Sequence, residues 1–218
     1  MFPTTPFNRE EHIFRSPELA NLLKDAIRFF NGTPIYELPP VKNFIGSGVY
    51  AIYYTGKLEL YERLSQVNRT SYYLPIYVGK AIPSGARRGK ASKEGASLFR
   101  RLAEHTQSIH AADNLDSSDF HCRFIIIPHE EDALIAPIES AIIKLYNPLW
   151  NSWVDGFGNH APGSRRSDQA RSQWDVIHPG RKWAEGLRGI KGENDAETIM
   201  QNIHAYIMAL NIGGLSDV

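Results

Sequence analysis

The sequence has little cysteine: Cys122 is the only one in 218 residues. An internal disulfide and a thiolate zinc site are therefore excluded, and this usage predicts a cytoplasmic compartment. Long apolar runs are also missing. The longest aliphatic stretch, Phe124-Ile125-Ile126-Ile127, is far short of the roughly 20 residues a membrane helix needs. Met1 to His12 has prolines and two glutamates but no apolar core, so it does not read as a secretory leader. Net charge is zero, with 24 basic and 24 acidic residues, which argues against a passive nucleic-acid coat. There is no internal repeat, no low-complexity tract, no His-Glu-x-x-His and no Gly-x-Ser-x-Gly. Gly85 to Lys90 looks faintly like a phosphate loop. It fails because its glycines are too close and Ala91 stands where Ser or Thr is required.

What is present is ordinary for a folded protein: 42% hydrophobic and 22% charged residues. The length suits one domain over residues 1–218. The charges are blocked. Residues 80–110 hold seven Lys/Arg against two acids, residues 111–140 one against seven, and residues 159–191 seven against three. Such blocks can build local positive surfaces, although a solvated exterior explains them equally well.

Local signals place the elements. Ser16 caps a first helix, Pro17 opens it and Asn31-Gly32 ends it, with Leu19, Leu22, Leu23, Ala26 and Phe30 as its apolar face. Thr33 to Phe44 contains three prolines and reads as a loop. Gly48 to Tyr54 reads as a strand, Pro75 to Gly79 as a second and Asp119 to Pro128 as a central third. Between the first two, Leu58 to Tyr73 is ambiguous. Ala81 to Ala96 is a basic loop. Ser97 caps a helix to His110. The helix after the third strand begins or kinks at Pro137 and stops at Asn147-Pro148. A last helix, opened by an Asn194–Glu197 capping box, has Ile199, Ile203, Tyr206, Ile207 and Leu210 on one face.

A set of polar residues falls on these apolar elements. Tyr50 follows Gly48-Val49, and Tyr77 precedes Val78-Gly79-Lys80. Arg101 and His105 share a helix face. Glu139 sits among isoleucines, where a carboxylate needs a cation or donors. Asn151 follows Trp150. Each has a bland reading: strand tyrosines are usually core, an Arg–His pair is usually exposed, and a lone Glu usually faces solvent.

Together, however, Gly48-Val49-Tyr50, Tyr77-Val78-Gly79, Arg101, Glu139 and Asn151 resemble the signature of the GIY-YIG nuclease superfamily. They come in the family order of strand, strand, helix, strand, helix. The stretches Leu74 to Ala81, Pro148 to Asn151, Val154 to His160 and Trp174 to Arg181 are similar to the GIY-YIG Type II restriction endonucleases that cut CCGCGG. The resemblance implies an α+β fold: a small, mostly antiparallel three-stranded sheet flanked by helices, with terminal elaborations. It implies a catalytic core at 44–152 with an insertion at about 56–74, an N-terminal helical arm at 1–43 and a DNA-wrapping region at 153–218.

The implied activity is hydrolysis of a DNA phosphodiester. Arg101 would offer a fork to phosphate, and Glu139 would anchor one Mg²⁺. Tyr50 would accept a proton from the attacking water, helped by Lys80 or His105. Tyr77 would hold water or phosphate, and Asn151 would orient a neighbour such as His105. A palindromic site implies a homodimer on double-stranded DNA, and the restriction branch implies a cognate cytosine methyltransferase. Guanine is best read by Arg or Lys. The supply is Arg87, Arg88, Lys90 and Lys93 in one loop, and Arg165, Arg166, Arg171, Arg181 and Lys182 beyond. Two other readings remain: a homing or repair nuclease of the superfamily, and a DNA-binding protein without catalysis.

Overall fold

The computed structural model describes residues 7–82, 95–160, 168–187 and 195–210. A four-stranded sheet organises them, with strand order β1-β4-β2-β3 and every neighbouring pair antiparallel. The strands are β1 (Tyr36–Glu37), β2 (Ser47–Tyr54), β3 (Tyr77–Ala81) and β4 (Phe120–Ile127). β2 is buried along its whole length, which is why it reads as a continuous apolar run rather than an alternating one.

Alternation still sorts its side chains between two cores. Tyr50, Ile52 and Tyr54 face one side, with Leu98 and Leu102 of α3 (Ser97–His110). Val49, Ala51 and Tyr53 face the other, against α1 (Pro17–Gly32) and α4 (Ile135–Tyr146). Helices thus cover both faces, an α+β architecture as expected. The sheet has one strand more than the three expected. β1 lies inside the proline-rich segment read as a loop and pairs Tyr36 with Cys122 and Glu37 with His121. Two exposed residues carry no periodicity, so only the partner strand defines them.

The ambiguous stretch after β2 is helical. A 3-10 turn at Glu59–Tyr61 leads into α2 (Glu62–Ser71). Buried Asn68 ties it down: its amide donates to the Tyr54 and Leu74 carbonyls, and its oxygen accepts from the Leu74 N–H. α1 begins as expected, with Ser16 accepting from the Leu19 N–H at 3.2 Å. Its buried side chains are Ile27 and Phe30, while Leu19 and Leu22 are exposed, so the inward face is rotated from the expected one. Pro137 sits in the first turn of α4, where its missing N–H has no intrahelical partner to lose. Asn147 ends that helix in the left-handed region (φ 45°).

Two capping assignments change. Ser97 is the first residue of α3 rather than its cap. That helix is anchored instead by the Leu98 N–H donating to the Gly46 carbonyl at 3.0 Å. Downstream lie α5 (Leu149–Ser152), α6 (Gln173–Ile177), α7 (Lys182–Glu185) and α8 (Ala196–Ala209). Asp195, not Asn194, caps α8, accepting from the Thr198 N–H at 2.9 Å. Asn194 lies outside the described residues. Among the described residues, no helix is long and apolar enough to cross a membrane.

Candidate active site

The site forms around β3, the edge strand. Register places Tyr50 opposite Gly79 and Ile52 opposite Tyr77, so both tyrosines project from the same sheet face. Their rings lie 6.3 Å apart. Gly79 is what lets the Tyr50 ring lie across β3. A Cβ there would come within 2.6 Å of the Tyr50 Cζ and 3.0 Å of the Tyr77 ring.

α3 supplies the next two groups. Its start is tied to the entry of β2, which sets His105 against Tyr50. The Tyr50 hydroxyl is 2.6 Å from His105 Nε2. His105 is only 1% exposed. Phe157 stacks on its ring at 4.6 Å and Tyr77 meets it edge-on at 5.1 Å. Burial pushes the Tyr50 phenol well above its ordinary value, with Tyr77 adding to the rise and the Arg101 charge opposing it. Burial likewise holds His105 well below its ordinary value, and the Arg101 and Arg181 charges act in the same direction. Both groups are therefore neutral near pH 7. The phenol and the imidazole share one hydrogen bond whose direction follows the imidazole tautomer, and each buried polar atom satisfies the other.

Arg101 stands beside this pair. Its Nη1 donates to Glu104 at 3.0 Å and to His160 Nε2 at 2.8 Å, and its Nη2 donates to the Gly158 carbonyl at 2.9 Å. Glu139 approaches from α4. It is close enough to disfavour ionisation of both Tyr50 and Tyr77. The sequence set Tyr50, Tyr77, Arg101, His105 and Glu139 is thus brought together from two strands and two helices.

Two members act differently from expectation. Lys80 pairs in register with Val49, so it projects from the face opposite Tyr50. There its ammonium forms an ion pair with Glu139. It neutralises the carboxylate rather than the phenol. Asn151 does not touch His105. Its oxygen accepts from the Val78 N–H at 2.7 Å and its amide donates to the Val78 carbonyl at 2.8 Å. It mimics a neighbouring strand and satisfies the open edge of β3.

The expected DNA-reading residues also divide. Arg181 is 4% exposed. Its guanidinium donates to Asp175 and to the carbonyls of Gly156, Phe157 and Asn159. It lies over the Trp174 and Trp183 rings. A guanidinium satisfied in this way is a brace within the fold, which corrects its assignment to base reading. Arg171 and Lys182 are exposed. Arg87, Arg88, Lys90, Lys93, Arg165 and Arg166 lie outside the described residues. Arg101, Glu104, Gln107, His160, Lys182 and Trp183 line a cleft of about 430 Å³ beside the site.

Sequence reasoning missed the contribution of Phe157, Gly158 and His160. A Cβ on Gly158 would sit 2.7 Å from the Tyr77 hydroxyl. The signals were the resemblance of Val154 to His160 to the restriction branch and the density of glycine and aromatic residues there, neither of which assigned a role to these three.

Among the described residues, no three His, Cys, Asp or Glu side chains cluster as a metal site. The donor set does suit one Mg²⁺. That ion keeps much of its water and accepts one protein carboxylate together with substrate oxygens. The Glu139 side chain is mostly buried, and among the described residues its ion-pair partner is Lys80.

No curated protein sequence matches the chain. A family model described as the Eco29kI GIY-YIG domain matches residues 42–207, which takes in every element from β2 to most of α8. With the tyrosine pair, the arginine and the glutamate gathered at one sheet edge, the chain belongs to the Eco29kI family of GIY-YIG nucleases, a restriction-endonuclease family.

Proposed function

We propose that the chain is a Type II restriction endonuclease that makes double-strand cuts in a palindromic GC-rich site, CCGCGG, by Mg²⁺-dependent phosphodiester hydrolysis. The observation that carries the reading is the Tyr50–His105 hydrogen bond beside Arg101, with Glu139 near enough to bear on the ionisation of the same phenols.

The attacking water must lose a proton as its oxygen bonds to phosphorus and the bond to the leaving sugar oxygen breaks. Tyr50 accepts that proton once its own has passed to His105 Nε2. From reference pKa values, a phenol-to-imidazole transfer costs about 5 kcal/mol in water. Burial of both groups adds to that cost, and the Arg101 charge offsets it only on the phenolate side, since it disfavours the imidazolium. The same guanidinium stabilises negative charge that builds on the non-bridging phosphate oxygens. Glu139 would hold Mg²⁺, which when bound supplies positive charge to the phosphate and its attacking water. Lys80 would then be displaced from its carboxylate partner. Tyr77 holds the water or a phosphate oxygen through its hydroxyl.

Phosphate contacts from Arg171, Lys182 and the two basic segments at 87–93 and 165–166 would position the duplex, and a subset would read guanine. A palindrome presents two identical half-sites, so a symmetric dimer is the economical reader. A cytosine methyltransferase would protect the host site, in keeping with a cytoplasmic restriction–modification pair. The test is digestion of a sequenced plasmid with Mg²⁺ and mapping of the ends. Uniform ends at CCGCGG support the full reading. Ends at another palindrome would replace the site. Absence of cleavage with any divalent cation would overturn the nuclease.

A further inference from the structure

Two arginines grip one loop from opposite sides. Below, Arg181 collects the carbonyls of Gly156, Phe157 and Asn159 at 3.0, 3.2 and 3.4 Å, and Asp175 fixes it at 2.6 Å. Above, the carbonyl of Gly158 points the other way and accepts from Arg101 at 2.9 Å. His160 follows in the same stretch, and its Nε2 is 2.8 Å from Arg101 Nη1. The brace is buried, while the His160 side chain is 70% exposed. An exposed histidine beside an arginine is usually repelled. This one is held because it presents a lone pair.

We propose that His160 is a positioning residue for Arg101, accepting from its guanidinium and holding it over the tyrosine pair. The proposal rests on the nuclease reading of the site. A guanidinium only donates, so Nε2 must be the unprotonated nitrogen and the imidazole must be neutral. Glu104 and the Gly158 carbonyl supply the other acceptors. Together the three fix the plane of the Arg101 fork before any phosphate arrives, which reduces the ordering cost of the bound state.

Glu104 Oε2 lies 4.0 Å from His160 Nε2, so the same carboxylate borders both members of the pair.

The experiment compares His160→Ala and His160→Gln with the wild type. Single-turnover cleavage of prebound DNA is followed as a function of pH, and DNA affinity is measured separately in Ca²⁺. Removal of the acceptor in His160→Ala is expected to slow cleavage about 10–100-fold with little change in affinity. His160→Gln offers an amide oxygen to Arg101. It should recover most of the rate. Loss of affinity without loss of bound-state rate would make His160 a phosphate contact and overturn the proposal. So would a glutamine variant as slow as His160→Ala. The guanidinium N–H signals of Arg101 in ¹⁵N-arginine-labelled protein give a readout that does not need cleavage. They should be slowed in exchange in the wild type and fast in His160→Ala. Unchanged signals overturn the proposal even if the nuclease reading stands, and changed signals support it even if that reading fails.

Discussion

Tyr50 and His105 are a buried pair whose proton could sit on either partner, and burial decides where it rests. Each group is pushed toward its neutral form, the phenol upward and the imidazole downward. A Tyr50→Phe substitution removes the donor and leaves His105 Nε2 buried without a partner. The expected stability loss is about 1–3 kcal/mol. If Tyr50 relays the proton, the cleavage rate falls about 10²–10⁴-fold. Stopped-flow cleavage of bound DNA checks this. A fall of less than tenfold would leave Tyr50 as packing and shift the base to His105. Glu139→Gln keeps the shape of the carboxylate and removes its charge. Cleavage in Mg²⁺ is expected to vanish while DNA binding persists or strengthens, because a negative charge near phosphate is lost. A gel-shift and a digestion of the same variant decide it, and normal cutting would take Glu139 out of the site.

At the scale of the element, the informative part is β3, a five-residue edge strand bearing Tyr77, Gly79 and Lys80. One of its edges pairs with β2; at Val78 the other is closed by the side chain of Asn151. Asn151→Asp keeps the acceptor for the Val78 N–H but sets a carboxylate against the Val78 carbonyl. We expect destabilisation of about 1–3 kcal/mol and a matching loss of activity through displacement of β3. Denaturant unfolding measures the first, and amide exchange at Val78 locates it. An Asn151→Asp variant with wild-type stability would refute the clip. The elements themselves were largely legible. The Ser16 cap, the apolar run of β2 and the Asn147-Pro148 stop each arise from residues adjacent in sequence. β1 and the start of α3 were not, because a partner strand and the Gly46 carbonyl define them from a distance.

For the whole molecule, the apolar face of α8 could cover its own core or a second subunit. Ile199, Ile203, Tyr206 and Ile207 join the core that contains Tyr61 and Trp174. That face covers its own protein and is not offered to a second subunit. A symmetric dimer must therefore use another surface. Light scattering of the DNA complex is expected to give two subunits per duplex. One subunit, with nicked intermediates accumulating, would overturn the symmetric reading.

The same core sets a pH response. His178 is buried, bonded to Tyr61 at 2.7 Å and to Asn114 at 2.8 Å, and held down to about 3, chiefly by burial. Unfolded, it binds a proton at about pH 6.5. Between about pH 6.5 and 3 the unfolded chain thus carries the extra proton, so this stability is complete above the window and is lost as pH falls through it. The slope from His178 is about 1.4 kcal/mol per pH unit, and His105 adds to it. Urea unfolding between about pH 7 and 5 should show that slope. A His178→Gln variant should lose one proton's share, and an unchanged slope would exclude His178 as its source.

The sequence by itself determined the kinds of element and the order in which they occur, and its motifs pointed to candidate site residues through a family resemblance. The elements depend on local spacing: alternation in a strand, a cap before a helix. Only the tertiary structure decided the pairings. Lys80 meets Glu139 because strand alternation turns it away from Tyr50. Asn151 meets Val78 because α5 lies along the sheet edge. Arg181, basic and apparently suited to DNA, is buried because Asp175 and three carbonyls can saturate its donors. A charge on a chain has many candidate partners. The one it takes depends on which groups packing removes from water at the same place.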